Sequence, residues 1–320
     1  MAFRVLKPGL LSLIQDRGRF GFQHQGLTTG GVLDEYAANW ANRLLGNDLA
    51  APVIEITLGN MQLEAMKDTV VVLTGAVMPV FLNDQPVTQW QLLMISAGDI
   101  LRLGWASSGQ RSYLAVWGGF QVTPVFGSVS TVVREKVGGL SGAAIKVNDI
   151  LPYQPFQPQS ATGGLHHAAP KAAIPNYDQS IQIRVVQGNQ ISQFNAEDQA
   201  VFFASVYRLT ADSDRMGYRL SGPAIHYDGP GLLSEGIAYG AIQIPPDGQP
   251  IIMLKDRQTI GGYPKIGAVL PLDAYRLSQM KTGGSVHFAP ISLDQAQSLM
   301  TEFHQFFDAP SDSPLKKITG

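Results

Sequence analysis

An apolar run leads directly into a polar turn in the segment Ile251-Ile252-Met253-Leu254-Lys255-Asp256-Arg257-Gln258-Thr259-Ile260-Gly261-Gly262-Tyr263-Pro264-Lys265-Ile266-Gly267. The apolar run predicts a strand, because it is short and is followed by turn-forming residues. The adjacent glycines permit positive φ or close approach of another backbone, and Pro264 restricts the exit. A strand with such a turn can present polar groups to a ligand. A hairpin turn with solvated charges explains the segment, taken alone, equally well.

Turn-forming residues punctuate the whole chain, since 34 glycines and 20 prolines separate short runs rich in Val, Ile, Leu and Phe. This texture is typical of a mainly β protein. Two segments instead have helical periodicity. Residues Leu33 to Leu45 begin with a predicted N-cap at Asp34, and Ser292 to Phe307 begin with a Ser-x-x-Gln capping box. We therefore predict a few peripheral helices on a β framework.

The chain also repeats itself in three places, always in the same order. The repeats pair Asp16-Arg17-Gly18 with Asp214-Arg215-Met216-Gly217, Glu55 to Leu63 with Glu235 to Ile244, and Gly98 to Leu103 with Gly284 to Phe288. Ordered repeats indicate a duplicated unit.

The length of 320 residues suits roughly two domains. We predict an N-terminal β domain over residues 1–151, a Pro/Gly-rich linker over 152–180, a C-terminal β domain over 181–309 and a disordered tail over 310–320.

Composition narrows the functional classes. The formal net charge is −2 and no basic run is longer than Lys316-Lys317, so we predict no nucleic-acid partner. Cysteine is absent, which excludes disulfides and a cysteine nucleophile. The N-terminus lacks the apolar core of a secretory signal, and the uncharged stretch 69–83 is shorter than the ~20 apolar residues that span a bilayer. We expect a cytoplasmic protein without a membrane partner.

The polar turn supplies the best candidate for a reaction site. We predict Lys265, Asp256, Gln258 and Tyr263 as catalytic residues, with Lys255 and Thr259 beside them to bind substrate. A lysine next to a carboxamide and a carboxylate can stabilise a developing oxyanion or orient an amide substrate. We expect these side chains to line one concave site.

Three further residues are predicted to bind substrate: Arg17, Arg215 and Glu235. An arginine can clamp a carboxylate bidentately, although an Asp–Arg ion pair explains both arginine segments as well. A glutamate at the head of an apolar strand can have a raised pKa. We predict no metal site, because the pair His166-His167 lacks further ligands at a fixed spacing. The chain also has no phosphate-binding loop of the Gly-Lys type.

Long motifs in a fixed order carry a resemblance to a known family. They are Ile14 to Arg19, Leu45 to Asn47, Glu55 to Gly59, Leu73 to Ala76, Arg111 to Gly119, Asp214 to Leu220 and Ser234 to Gly267. With these motifs the chain resembles the 5-oxoprolinase C-subunit family, also called KipA or allophanate hydrolase subunit 2, over nearly all of residues 3–307. That family is related to the carboxyltransferase domain of urea carboxylase.

The resemblance implies two tandem cyclophilin-like β-barrels. It also implies ATP-dependent cleavage of 5-oxo-L-proline to L-glutamate in a hetero-oligomer with subunits A and B, the latter KipI-like. ATP would then be handled with or by the partner subunits. Two alternatives stay open: biotin-dependent carboxyl transfer to urea or a related amide, and a regulatory protein that antagonises a KipI-like kinase inhibitor.

Overall fold

The structure, a computed structural model, describes residues 2–156 and 165–309, which form two compact units. Within these residues, unit 1 comprises 2–20, 30–156, 165–177 and 305–309, and unit 2 comprises 21–29 and 178–304. The predicted domain boundaries stay predictions. The predicted tail over 310–320 and part of the predicted linker, residues 157–164, lie outside the described residues.

Unit 1 is mostly β-sheet. Its elements are β1 (Ala2–Pro8), β2 (Leu11–Gln15), α1 (Glu35–Leu44), β3 (Val53–Thr57), β4 (Met61–Ala65), β5 (Thr69–Val77), β6 (Val80–Leu82), β7 (Gln85–Val87), β8 (Leu92–Ile95), β9 (Ile100–Leu103), β10 (Ser108–Val116) and β11 (Ile150–Pro152).

The strands of unit 1 form two sheets, with orders β11-β1-β4-β9-β6-β7 and β2-β3-β10-β5-β8. One hydrophobic core includes Phe3 and Leu63 from the first sheet and Ile56 and Leu114 from the second. Side chains alternate between the two faces of a strand, so every second residue of β4 is buried.

The predicted helix over 33–45 is confirmed as α1. Its N-cap is Asp34, whose side chain accepts a hydrogen bond from the Ala37 N–H at 3.1 Å. Trp40 on this helix is buried. Near the C-terminus of the helix, Arg43 donates to the Phe306 carbonyl at 2.8 Å.

The carboxylate of Asp16 holds two loops of unit 1 together. It accepts hydrogen bonds from the Gly18 N–H (2.8 Å), the Val129 N–H (2.8 Å), the Ser128 hydroxyl (2.6 Å) and the Ser130 hydroxyl (2.5 Å). Hydrogen bonds to a charged acceptor are stronger than neutral ones. This carboxylate is therefore a main link between the segment after β2 and the loop near residue 129.

The repeated segment in unit 2 has the same local geometry. The Asp214 side chain accepts hydrogen bonds from the Met216 N–H at 2.7 Å and the Gly217 N–H at 3.3 Å. Both aspartates thus bond to the backbone N–H two residues further on, which is an Asx turn. The shared turn accords with duplication.

Unit 2 contains a closed barrel. Its elements are β12 (Ile181–Gln187), α2 (Ala196–Ala204), β13 (Val206–Leu209), β14 (Gly217–Ser221), β15 (Glu235–Gly236), β16 (Ala241–Gln243), β17 (Ile251–Met253), β18 (Ile260–Gly261), β19 (Lys265–Val269), α3 (Pro271–Leu277), β20 (Ser285–Ile291) and α4 (Leu293–Asp308), the last of which ends among the residues of unit 1.

Seven strands close the barrel in the order β12-β19-β16-β17-β14-β13-β20. Strand β12 pairs with β20 in parallel, from Ile181 opposite Val286 to Val186 opposite Ile291. The other pairs described in this barrel are antiparallel. The one parallel pair joins the first and last strands of the unit and completes the ring.

Two local features of unit 2 shape the candidate site. Strands β15 and β18 form a separate two-stranded ribbon in which Glu235 lies opposite Gly261. The pairing of β16 with β19 also contains a bulge, after which Gln243 lies opposite Lys265. Bulges re-aim side chains and are frequent next to functional sites.

The capping box predicted for the last helix is confirmed. The Ser292 N–H donates to Gln295 Oε1 at 3.3 Å, and the Gln295 N–H donates to Ser292 Oγ at 3.2 Å. The predicted fold class is confirmed as well: the chain is mainly β, with tandem β units and few peripheral helices. Among the described residues, no helix has the length and apolar character that crossing a membrane requires.

The loops held by Asp16 give a stability prediction. Replacing Asp16 by Asn keeps the shape of the side chain but removes the charge that four donors share, so it should lower the free energy of unfolding by about 2 kcal/mol or more. Asp214→Asn is the control, because that exposed carboxylate has two described backbone donors. Urea denaturation of both variants measures the difference, and equal losses would contradict the account.

Candidate functional site

Lys265 is the centre of a polar cluster in unit 2. Its backbone N–H donates to Gln190 Oε1 at 2.7 Å, and its ammonium contacts the Glu235 carboxylate. Gln190, which is buried, also donates from Nε2 to Glu235 Oε1 at 2.6 Å. One amide therefore bridges the backbone of the lysine and the carboxylate that its side chain contacts.

The two charges of this cluster differ in exposure. The Lys265 side chain is 15% exposed, whereas that of Glu235 is 46% exposed. The hydrogen bond from Lys265 is the main cause that lowers the pKa of Glu235, and the Gln190 amide acts in the same direction. The raised pKa suggested for a glutamate at the head of an apolar strand is therefore wrong for Glu235, because a cation and an amide stabilise its charged form.

The glycine turn approaches the cluster closely. A Cβ on Gly261 would lie 2.7 Å from Ile237 Cδ1 and 3.1 Å from Gln243 Nε2. The first distance is too short for any larger residue without a shift of Ile237. The sequence predicted either positive φ or close approach of another backbone for these glycines. Gly261 is not among the residues with positive φ, so close packing is the reason for a glycine there.

A second pair of the predicted residues is buried in unit 2. Asp256 accepts two hydrogen bonds from Arg215, from Nε at 2.9 Å and from an Nη at 3.0 Å. Such bidentate pairing fixes both side chains. The Lys255 ammonium lies 4.8 Å from the centre of the Tyr239 ring, a cation–π contact.

Arg257 connects this pair to the ribbon. Its guanidinium donates to the Ile237 carbonyl at 2.9 Å and to the Leu254 carbonyl at 3.1 Å. Burial lowers the pKa of Arg257. The segment between β17 and β18 is thus anchored by the buried Lys255 and the partly buried Arg257, and Gln258 and Thr259 within it are partly exposed.

Tyr263 lines an open pocket of about 470 Å³ within unit 2. The other walls come from loop 225–232 and from residues 244–246, with Pro264 beside the tyrosine. Tyr263 is 45% exposed, so its ring is available to a ligand. Tyr263 is the one predicted site residue, of nine, among the described residues that line this pocket. A common concave site for the others stays a prediction.

Arg17 belongs to unit 1, unlike the other eight predicted residues, and is exposed. In the same unit, Glu55 is buried and accepts hydrogen bonds from the Leu33 N–H (2.8 Å) and the Tyr113 hydroxyl (2.9 Å). Burial, followed by the charge of Glu55, raises the pKa of Tyr113 well above its usual value. Glu55 therefore holds the core of unit 1, in an environment unlike that of Glu235.

Two polar residues of the cluster, Gln190 and Gln243, are missed by the sequence prediction. Gln190 lies 75 positions before Lys265, and no motif marks it. Gln243 is part of the repeated segment that begins at Glu235, so the repeat was a usable signal. Within the described residues, no group of three His, Asp or Glu side chains could hold a metal ion.

The tandem β units and this polar cluster define the class of protein. Residues 25–290 match the family model described as carboxyltransferase domain, subdomain A and B. The C subunit of 5-oxoprolinase from Escherichia coli (strain K12) is 37% identical over 307 residues, which cover 95% of this chain and 96% of that protein. The protein of the same name from Haemophilus influenzae is 34% identical over 296 residues, which cover 92% and 93%.

A solved structure agrees with this assignment. The K. lactis urea amidolyase superposes with a TM-score of 0.89 at 28% identity, over 98% of this chain and 20% of that one. The chain thus spans about a fifth of that protein. The chain belongs to the carboxyltransferase-domain family and, within it, to the 5-oxoprolinase C-subunit family.

The contact between Lys265 and Glu235 gives a prediction about ionisation. Lys265→Met should raise the pKa of Glu235 towards its usual value, because the main stabilising partner of the carboxylate is lost. A lowered pKa in the folded state stabilises the protein above the unfolded-state pKa, and this contribution is lost as pH falls through the folded-state value. As pH falls through the folded-state pKa of Glu235, the free energy of unfolding of the variant should therefore decrease less steeply than that of the unmodified protein.

Carbon-13 NMR titration of the Glu235 carboxyl measures the shift directly. Glu64, which pairs with Arg4 in unit 1 and has no described contact with Lys265, provides the internal reference signal. An unchanged pKa for Glu235 would show that the ammonium does not stabilise this carboxylate in solution.

Proposed function

We propose that this chain is a subunit of an ATP-dependent 5-oxoprolinase, which opens the lactam ring of 5-oxo-L-proline to give L-glutamate. Two relatives that match over nearly their whole lengths are named as the C subunit of 5-oxoprolinase. The observation that supports a particular site is the Lys265 cluster. Its largely buried ammonium contacts Glu235, and Gln190 bonds to both the Lys265 backbone and the Glu235 carboxylate.

The chemistry requires activation of the amide. A lactam carbonyl is a poor electrophile, so transfer of a phosphoryl group from ATP to the carbonyl oxygen makes attack by water feasible. The transfer releases ADP. One water then adds to the carbonyl carbon, and the C–N bond breaks as the nitrogen takes up a proton, which leaves an acyl phosphate. A second water hydrolyses this acyl phosphate to the carboxylate and phosphate. This sequence develops negative charge on oxygen, and a preorganised ammonium such as that of Lys265 stabilises such charge.

In this proposal, partner subunits supply the binding of ATP. The chain lacks a Gly-Lys phosphate loop, so we assign ATP binding to partner subunits A and B or to a site formed with them. The role of this chain is then to bind and orient the lactam and to stabilise its oxygen.

Reconstitution tests the proposed activity. The complete mixture of this chain with subunits A and B should release glutamate from 5-oxo-L-proline only when ATP is supplied. Omitting this chain should abolish the release. Undiminished glutamate formation without it would remove the proposal.

Substitution of Lys265 tests the site. Lys265→Met keeps the apolar stem and deletes the charge, so turnover in the assembled complex should fall by ~10²-fold or more. Lys146→Met, at an exposed lysine of unit 1, is the matched control and should retain full turnover. Equal activity of the two variants in correctly assembled complexes would place the reaction away from Lys265.

A second candidate is biotin-dependent carboxyl transfer to urea or a related amide. The extended match to the K. lactis urea amidolyase favours it. The chain would then need a carboxylated biotin carrier from another protein. An assay with a labelled carboxylated carrier and urea distinguishes the two candidate functions. Transfer of the labelled carboxyl group to urea supports the carboxyltransferase, and ATP-dependent glutamate release supports the 5-oxoprolinase subunit.

A further inference from the structure

Gln243 places an unused hydrogen-bond donor next to Lys265. The residue is 1% exposed, and its Nε2 is buried without a hydrogen-bond partner. Leaving a buried donor unpaired costs about 1–3 kcal/mol. Nearly all buried polar groups in proteins are paired, so such an exception calls for an explanation, for example a ligand that completes it.

The strand register brings Gln243 and Lys265 to one face. Gln243 lies directly opposite Lys265 across the β16–β19 pair, after the bulge. Residues directly opposite in an antiparallel pair have Cβ atoms about 4.5–5.5 Å apart and project to the same side. The Lys265 Nζ is itself buried and contacts the Glu235 carboxylate. An ammonium has three N–H donors, so this contact leaves donors available.

The charge balance indicates what kind of acceptor atom the two N–H donor groups bind. Glu235 offsets the charge of Lys265, and the Gln243 amide is neutral. A site without net charge has little attraction for an anion, whereas its N–H donors still require an acceptor. A neutral carbonyl oxygen fits both conditions.

The surroundings indicate the rest of the ligand. An apolar cluster consists of Ile237, Ala241, Ile251 and Met253, of which Ile251 lies opposite Gln243 across the β16–β17 pair. Gly261 presents a bare backbone to the amide of Gln243. Apolar walls around a few placed donors are typical of small-molecule sites. A compact ligand with a carbonyl on one side and methylene groups on the other matches them.

We propose that Gln243 and Lys265 together bind the carbonyl oxygen of a small cyclic amide, with Gln243 Nε2 and Lys265 Nζ as the two donors. The identity of the amide as the lactam of 5-oxo-L-proline rests on the proposed function. Both nitrogens are covered in the structure, so β18, whose Gly261 approaches Gln243 Nε2, shifts when the ligand enters. Glu235 keeps its contact with Lys265, which leaves the site without net charge.

The side-chain amide of Gln243 reports binding directly. In nitrogen-15-labelled full-length chain, alone and assembled with subunits A and B, addition of 5-oxo-L-proline or 2-pyrrolidinone should shift the Gln243 side-chain signal. The side-chain signal of Gln199 is the control, because Gln199 already donates to the carbonyls of Ile191 (3.0 Å) and Phe194 (2.8 Å). It should stay in place.

Variants separate ligand binding from a structural role. Gln243→Leu removes an unpaired donor, so it should leave thermal stability unchanged or raised while weakening the probe's Kd about tenfold. Gln199→Leu removes two hydrogen bonds, so it should lower stability and leave the Kd unchanged. Gln243→Leu that is destabilised and binds normally would show that the amide serves the fold.

Two further results would overturn the proposal. One is a Gln243 signal that neither probe moves up to its solubility limit, in the free chain and in the complex. The other is a through-hydrogen-bond scalar coupling from the Gln243 amide to another group of the free chain, which would reveal an internal acceptor. Neither readout needs turnover. If omitting this chain leaves glutamate release by the complex unchanged, the proposed function is refuted. That result is independent of the binding measurements at Gln243.

Discussion

The parallel pairing of β12 with β20 is the constraint on which unit 2 depends. It joins the first and last strands of the barrel over six residue pairs and leaves no open edge in the ring. Closure fixes β19 between β12 and β16. Lys265 is the first residue of β19, and Gln190 follows β12 by a short loop. The bond between Gln190 and the Lys265 backbone is therefore a direct consequence of two neighbouring strands in a closed barrel.

The energetics of the cluster favour a functional explanation over a structural one. Glu235 is nearly half exposed, and ion pairs at such positions contribute little to stability. The buried, unpaired Nε2 of Gln243 costs about 1–3 kcal/mol. This cluster adds little to the stability of the fold, and its unpaired donor lowers that stability, so stability alone does not account for it. Natural proteins accept such costs at functional sites. The Asp256–Arg215 pair differs, because it is buried and bidentate, which fixes both side chains.

Local rules predicted the features that depend on neighbours in sequence. The N-cap at Asp34 and the capping box at Ser292 follow from residues within one helical turn. The repeat of Asp16 at Asp214 correctly indicated equivalent turns. The polar cluster was predicted in part: the motif around Lys265 was recognised, but its partner Gln190 was not. That partner is supplied by barrel closure, a long-range contact that carries no local signal.

In the proposed reaction, Lys265 contacts the oxygen atom of the lactam. A crystal structure of the chain assembled with subunits A and B, grown with 5-oxo-L-proline, would show whether this contact forms. We expect the ring carbonyl within hydrogen-bond distance of Lys265 Nζ and Gln243 Nε2. Lactam density at another site would rule this contact out.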